Sequence, residues 1–147
     1  MAFDIVECRT VTSSNAGGSV GLVIVSHSAA IATGLAELVA QVAGPDVPIV
    51  TAGGGPGGTL GTDGGRVLEA LRTVDGAGAV VLADLGSSLL SVKAALAELS
   101  PGDAARIVLA DAPLVEGAIA AGVTASTGAS LSEVAAAAEE ARNVPKL

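Results

Sequence analysis

The chain has 147 residues, half of them hydrophobic and only 15% charged, which excludes intrinsic disorder, a state that needs low hydrophobicity and high charge. Its 15 acidic and 7 basic residues give a formal charge of −8, so it lacks the basic footprint of a nucleic-acid binder and suits a basic protein surface better. The mean hydropathy of +0.67 invites a membrane reading, but Glu37, Asp63, Glu69, Asp84, Glu98, Asp111 and Glu116 interrupt the apolar stretches before any reaches the ~20 residues of a spanning helix.

The first residues, MAFDIVECRT, lack the positive and apolar regions of a signal peptide. A single cysteine, Cys8, excludes an internal disulfide, and one Cys with one His offers too few ligands for a metal site. The expectation is a soluble cytoplasmic protein with no metal. Its 20 glycines are about twice the usual frequency. With aromatics nearly absent, the core is expected to be Val, Leu, Ile and Ala, with helices close to a sheet.

In chain order, residues 1–19 are polar and irregular and read as an N-terminal extension. VGLVIV (20–25) is a short, β-branched, continuously apolar run, as expected of a strand buried on both faces. Ile31, Leu35, Leu38, Val39 and Val42 then fall on one helical face. VPIVTA (47–52) gives a second strand, and GGGPGGTLGTDGG (53–65) a turn-rich loop. A second helix starts near Thr62 or Asp63 and carries Val67, Leu68, Leu71 and Val74. The third strand spans 79–83. The next helix begins at Ser87 or Ser88 and presents Leu89, Val92, Leu96 and Leu99. RIVLAD (106–111) is a fourth strand, Pro113 suits a helix start, and Ser130-Leu-Ser-Glu133 is a capping-box pattern before a last helix.

Strand and helix alternate four times, with one more helix at the end. That pattern predicts a single α/β domain over residues 20–143, followed by a short tail at 144–147. Its sheet is parallel and doubly wound, with helices on both faces and right-handed crossovers. In such sheets ligands bind beyond the carboxyl ends of the strands, where the strand order reverses.

His27, the only histidine, lies two residues past the first apolar run, and Asp84 directly follows the third. In the common strand order 2-1-3-4 these two ends are neighbours at the switch point. A carboxylate accepting from Nδ1–H would fix the tautomer and leave the Nε2 lone pair free, which makes a nucleophile of a neutral imidazole. Helix starts after Ser28, Thr62 and Ser87 could present backbone N–H groups to an anion. The hydroxyls of Ser26, Ser28, Thr62, Ser87 and Ser88 add donors. Together these features read as a phosphohistidine site. The plainer reading of the same spacing is a loop histidine and a set of helix caps.

Other motif matches are weak. Gly53-x-Gly55-x-x-Gly58 fits a dinucleotide pattern formally, but it lies in a low-complexity loop containing Pro56. Gly17-x-Ser19-x-Gly21 fits a hydrolase elbow but precedes a strand. No P-loop is present, since neither Lys93 nor Lys146 has the required glycine ahead of it.

GLVIVSHS, GTD at 61–63, LADLGSSLLSVKAAL at 82–96 and APLVEGAIAA at 112–121 stand in that order. This series resembles the phosphotransferase subunits (DhaM) of phosphoenolpyruvate-dependent dihydroxyacetone kinases. Those subunits are similar to the IIA domains of mannose-type sugar phosphotransferase systems (PTS). The resemblance runs from about Val20 to about Glu133. Gly86-Ser-Ser-Leu-Leu-Ser91 and APLVEG look like the dihydroxyacetone kinase branch, where mannose-type domains tend to show a GGSP-like stretch. Two departures are the extension at 1–19 and the glycine-rich insert at 53–58.

The resemblance implies a doubly wound α/β homodimer that takes a phosphoryl group from phospho-HPr on His27, with Asp84 as the orienting aspartate. It implies onward transfer to ADP bound in a separate kinase subunit, and a third subunit that phosphorylates dihydroxyacetone. The expected phosphate-binding groups are Thr62, Ser87 and Ser88. The expected intermediate is a covalent phosphohistidine, with no tightly bound cofactor, nucleic acid or membrane partner. HPr and enzyme I would be separate proteins. Three alternatives remain: a mannose-type IIA domain serving sugar uptake, a phosphorylation-dependent regulatory module, and a ligand-binding module without covalent chemistry.

Overall fold

Strand formation follows the apolar runs closely. In the computed structural model, which describes residues 18–147, the first run forms β1 (Gly21–Ser26), with all six residues buried. β2 (Ile49–Gly53), β3 (Ala79–Ala83) and β4 (Ile107–Leu109) complete one sheet. Its order is β2-β1-β3-β4, and every pairing is parallel. This is the expected fold class and strand order.

Successive side chains of a strand point to opposite faces, and the core divides accordingly. Leu22, Ile24, Val80 and Leu82 face α1 (Ala29–Ala43), α5 (Leu114–Ser126) and α6 (Leu131–Glu140). Val23, Val25, Val81 and Ala83 face α2 (Gly64–Arg72) and α3 (Gly86–Glu98). Fully burying one such aliphatic side chain contributes about 1.5–3 kcal/mol, so the central strands anchor both layers.

Several boundaries differ from the expected ones. The buried face of α1 is Ala32, Leu35, Ala36 and Val39, whereas Ile31, Leu38 and Val42 are about half exposed. Alanine is the reason: its small side chain lets the helix lie close to its neighbours, so a stripe that includes two alanines turns inward. A Cβ on Gly122 of α5 would meet Val39 Cγ1 at 2.5 Å, which shows how closely α1 and α5 approach. β4 has three residues instead of six. A short helix, α4 (Pro101–Ala104), follows Ser100, whose hydroxyl caps it. α3 starts at Gly86, so Ser87 and Ser88 lie inside its first turn and do not cap it. The capping box of Ser130 and Glu133 on α6 is present as expected.

Gly18 and Ser19 form no regular element, and the rest of the expected extension, residues 1–17, lies outside the described residues. In the tail, Lys146 Nζ lies 2.8 Å from Glu116 Oε1. Among the described residues, no helix is long and apolar enough to cross a membrane.

Candidate active site

The parallel register brings the site together. Val25 of β1 is paired with Ala83 of β3, so the next residues, Ser26 and Asp84, emerge side by side at the carboxyl edge. On the other flank Ser26 is paired with Gly53. The loop beyond β2 then fastens the end of β1. Gly54 N–H donates to Ser26 O at 3.0 Å and Gly61 N–H donates to His27 O at 2.9 Å. Gly61 has φ +134°, a backbone conformation that favours glycine. The glycine-rich loop therefore holds the backbone of His27 in place.

Asp84 is the hub. Its Oδ1 lies 2.8 Å from His27 Nδ1 and accepts from Ser88 Oγ and from its neighbour Leu85 N, each at 2.8 Å. Its Oδ2 accepts from Ser26 Oγ at 2.8 Å and from His27 N at 2.9 Å. Burial favours the neutral carboxyl, but the hydrogen bonds from the His27 amide, the His27 ring, Ser88 and Ser26 outweigh it. Together they hold the Asp84 pKa well below the usual carboxylate range. An ionised carboxylate only accepts hydrogen bonds, so Nδ1 carries a ring proton, and in the neutral ring the lone pair is on Nε2.

The Nε2 side is different. Nε2 lies 2.5 Å from Ser87 Oγ, and the hydroxyl donates to the lone pair. The His27 side chain is 24% exposed and that of Asp84 15%, so the ring reaches solvent while the carboxylate sits behind it. No side chain caps α3, which leaves amides of its first turn for another acceptor.

The structure sorts the expected site residues into three groups. His27, Asp84 and Ser87 come together as expected. Ser88 is fully buried on the Nδ1 side, where its Oγ lies 3.0 Å from Nδ1 while donating to Asp84. Its hydroxyl proton is directed at the carboxylate on the Nδ1 side of the ring. Thr62 makes its contact one helical turn away, where its Oγ1 accepts from Ser91 Oγ at 3.1 Å. Asp63 is the N-cap of α2, accepting from Gly65 N at 3.0 Å and Arg66 N at 3.3 Å, and Ser28 is the N-cap of α1.

Sequence reasoning missed two roles. Ser26 points into the site from beneath as a partner of Asp84. Ser91 ties the Thr62 loop to α3; its position four residues after Ser87, hence on the same helix face, was the available signal. No group of three or more His, Cys, Asp or Glu that could hold a metal ion occurs among the described residues.

Comparison with known proteins places this geometry in a family. Residues 21–135 match EIIA-man, described as the PTS system fructose IIA component. The phosphoryl donor subunit DhaM of PEP-dependent dihydroxyacetone kinase from Providencia stuartii is 44% identical over 126 residues. The match covers 83% of this chain and 26% of that protein. The donor subunit DhaM of PEP-dependent dihydroxyacetone kinase 2 from Listeria innocua is 35% identical over 105 residues, 71% of this chain and 84% of that protein. The chain thus spans about a quarter of the longer relatives and most of the shorter ones. The crystal structure of EF1359, a protein of unknown function, superposes with a TM-score of 0.74 at 32% identity, covering 82% of this chain and 93% of the other. A match that runs from the first strand into the last helix leads to one conclusion: the chain belongs to the EIIA-man family of PTS IIA components.

Proposed function

We propose that this chain is the phosphoryl-carrying subunit of a phosphoenolpyruvate-dependent dihydroxyacetone kinase. It receives a phosphoryl group from phospho-HPr on His27 Nε2 and passes it to ADP held in a separate subunit. The observation that carries this reading is the asymmetry of the ring. Nδ1 is fixed on a half-buried carboxylate, while Nε2 faces an accessible edge with a hydroxyl and an uncapped helix start. The names of the relatives, donor subunits of dihydroxyacetone kinases, favour this branch over sugar uptake.

The step balances without a base. The Nε2 lone pair attacks phosphorus in line as the P–N bond to the donor histidine breaks, and the electron pair of that bond returns to the donor. No proton leaves His27. The ring gains positive charge as the Nε2–P bond forms, and the Asp84 carboxylate at Nδ1–H offsets it. Ser87 Oγ–H turns from the lone pair to a phosphoryl oxygen, joined by first-turn amides of α3. Thr62, whose own hydroxyl proton is not used in the bond from Ser91, is the donor on the α2 side. Catalysis then consists of positioning and charge stabilisation. A relay fed by HPr takes place in the cytoplasm.

The test is incubation with phosphoenolpyruvate, enzyme I and HPr, followed by intact mass. A gain of one phosphoryl group is expected, and dihydroxyacetone phosphate should form once the nucleotide-binding and substrate-binding kinase subunits are added. A phosphorylated chain that yields no dihydroxyacetone phosphate with them would overturn the kinase assignment. A chain that gains no mass would overturn the carrier assignment as well.

A further inference from the structure

We infer that Ser26 is a positioning residue that sets the tautomer of His27 through the Asp84 carboxylate. The inference rests on the phosphoryl-carrier reading for its kinetic consequence. Ser26 ends a strand whose other residues are apolar or glycine, and it is fully buried. A buried hydroxyl needs partners, and this one has two of opposite kind. Its Oγ accepts the Ser28 N–H at 3.1 Å and lies 2.8 Å from Asp84 Oδ2. An amide N–H can only donate, so the hydroxyl proton cannot point at it. The relay therefore has one direction, from the Ser28 amide to Ser26 Oγ and from Ser26 Oγ–H to Oδ2.

The consequence falls on the other carboxylate oxygen. The terminal torsion of an aspartate is broad and weakly held by itself. Here Oδ2 is fastened by Ser26 and by the His27 amide, both on the strand end that carries the imidazole. That fastening leaves Oδ1 in line with Nδ1. Without the Ser26 hydroxyl, the carboxylate can turn toward its Oδ1 partners on the β3–α3 segment, Leu85 N–H and Ser88 Oγ–H. The Nδ1–H bond then weakens. The competing tautomer carries its proton on Nε2 and donates to Ser87 Oγ, which buries the nucleophilic lone pair against Asp84. A purely structural Ser26, present only to satisfy the Ser28 amide, would affect stability and leave the tautomer alone.

Because the chain has one histidine, its ¹⁵N ring resonances can be read without assignment. The wild-type ring is expected to be mainly Nδ1–H. Ser26→Ala should raise the Nε2–H fraction severalfold and slow transfer from phospho-HPr, and Ser26→Thr, which keeps the hydroxyl, should restore both. In an Asp84→Asn background, Ser26→Ala should slow transfer no further, since it acts through the carboxylate. If the alanine variant does not fold, Ser26→Cys, with its weak S–H donor, carries the same comparison. An unchanged tautomer ratio in the variant lacking a strong donor would overturn the inference, and so would additive losses in the double variant. If the wild-type chain accepts no phosphoryl group, the carrier reading fails while the ring resonances still decide the role of Ser26.

Discussion

α2 and α3 pack side by side on one face of the sheet and begin at the same edge, yet their N-termini are built differently. α2 opens on Asp63, whose carboxylate takes the amides of Gly65 and Arg66. α3 opens on Leu85, which is 61% exposed and makes no side-chain cap. A missing cap costs a helix typically ~1 kcal/mol. The nearest carboxylate, Asp84, is turned toward His27 and fixed there by five hydrogen bonds. One helix start is closed by a side chain, and the other is left open beside His27 Nε2. The comparison separates what the edge contributes to folding from what the proposed function asks of it in phosphoryl transfer.

The largest expected effect is at the open end. His27→Ala should fold and take up no phosphoryl group from phospho-HPr by intact mass; retained uptake would move the site elsewhere. Asp84→Asn comes next. An amide can offer its NH₂ to the imidazole and carries no charge to offset the phosphorylated ring, so transfer should slow by one or more powers of ten, as for other histidine–aspartate pairs. Quenched-flow rates within a factor of two of wild type would remove Asp84 from the site.

The same pair of proteins gives a pH test whose sign follows from linkage. The folded-state pKa of Asp84 lies below its ordinary value of 3.8. Its contribution to stability is therefore fully present above about pH 4–5 and is lost as pH falls toward the folded value. Urea unfolding of wild type and Asp84→Asn should show a stability gap that shrinks as pH falls below that range. A gap that widened below about pH 4 would contradict the hydrogen-bonded, ionised carboxylate.

A smaller effect should follow from closing α3. Leu85 already has the extended backbone of an N-cap, with φ −127° and ψ 167°, and its side chain loses little burial on replacement. Leu85→Ser should raise stability by about 0.5–1 kcal/mol and slow transfer severalfold, because the new hydroxyl competes for first-turn amides. A stabilised variant with wild-type rates would show that those amides do not bind the phosphoryl group.

Much of this edge was legible in the sequence for a topological reason. Continuous apolar runs marked the strands, and the order 2-1-3-4 alone makes the ends of β1 and β3 neighbours, so His27 and Asp84 could be paired before any coordinate. The side of the ring on which a hydroxyl falls was not legible. Ser87 and Ser88 are adjacent in sequence, but successive helix positions differ by about 100°, so one reaches Nε2 and the other is buried against Asp84. On α1, Leu35 and Val39 of the expected face are buried, whereas Ile31, Leu38 and Val42, which a pattern weights by size, are not. Ala32 and Ala36 turn inward because close approach leaves no room for larger side chains. α4 is one turn long, too short for periodicity to register.

The smallest kinetic effect is expected at the closed end. Asp63→Ala removes both side-chain hydrogen bonds to the Gly65 and Arg66 amides and weakens the charge complement to the α2 dipole. It should cost about 0.5–2 kcal/mol of stability by denaturant unfolding. Transfer from phospho-HPr, measured where the variant is still folded, should stay within about twofold of wild type. Asp63 faces the amides of its own helix, while His27 Nε2 lies against Ser87 of α3. If the rate instead fell as far as in Asp84→Asn, the two helix starts would be acting as one anion site, and Thr62, which joins α2 to α3 through Ser91, would be the residue that couples them.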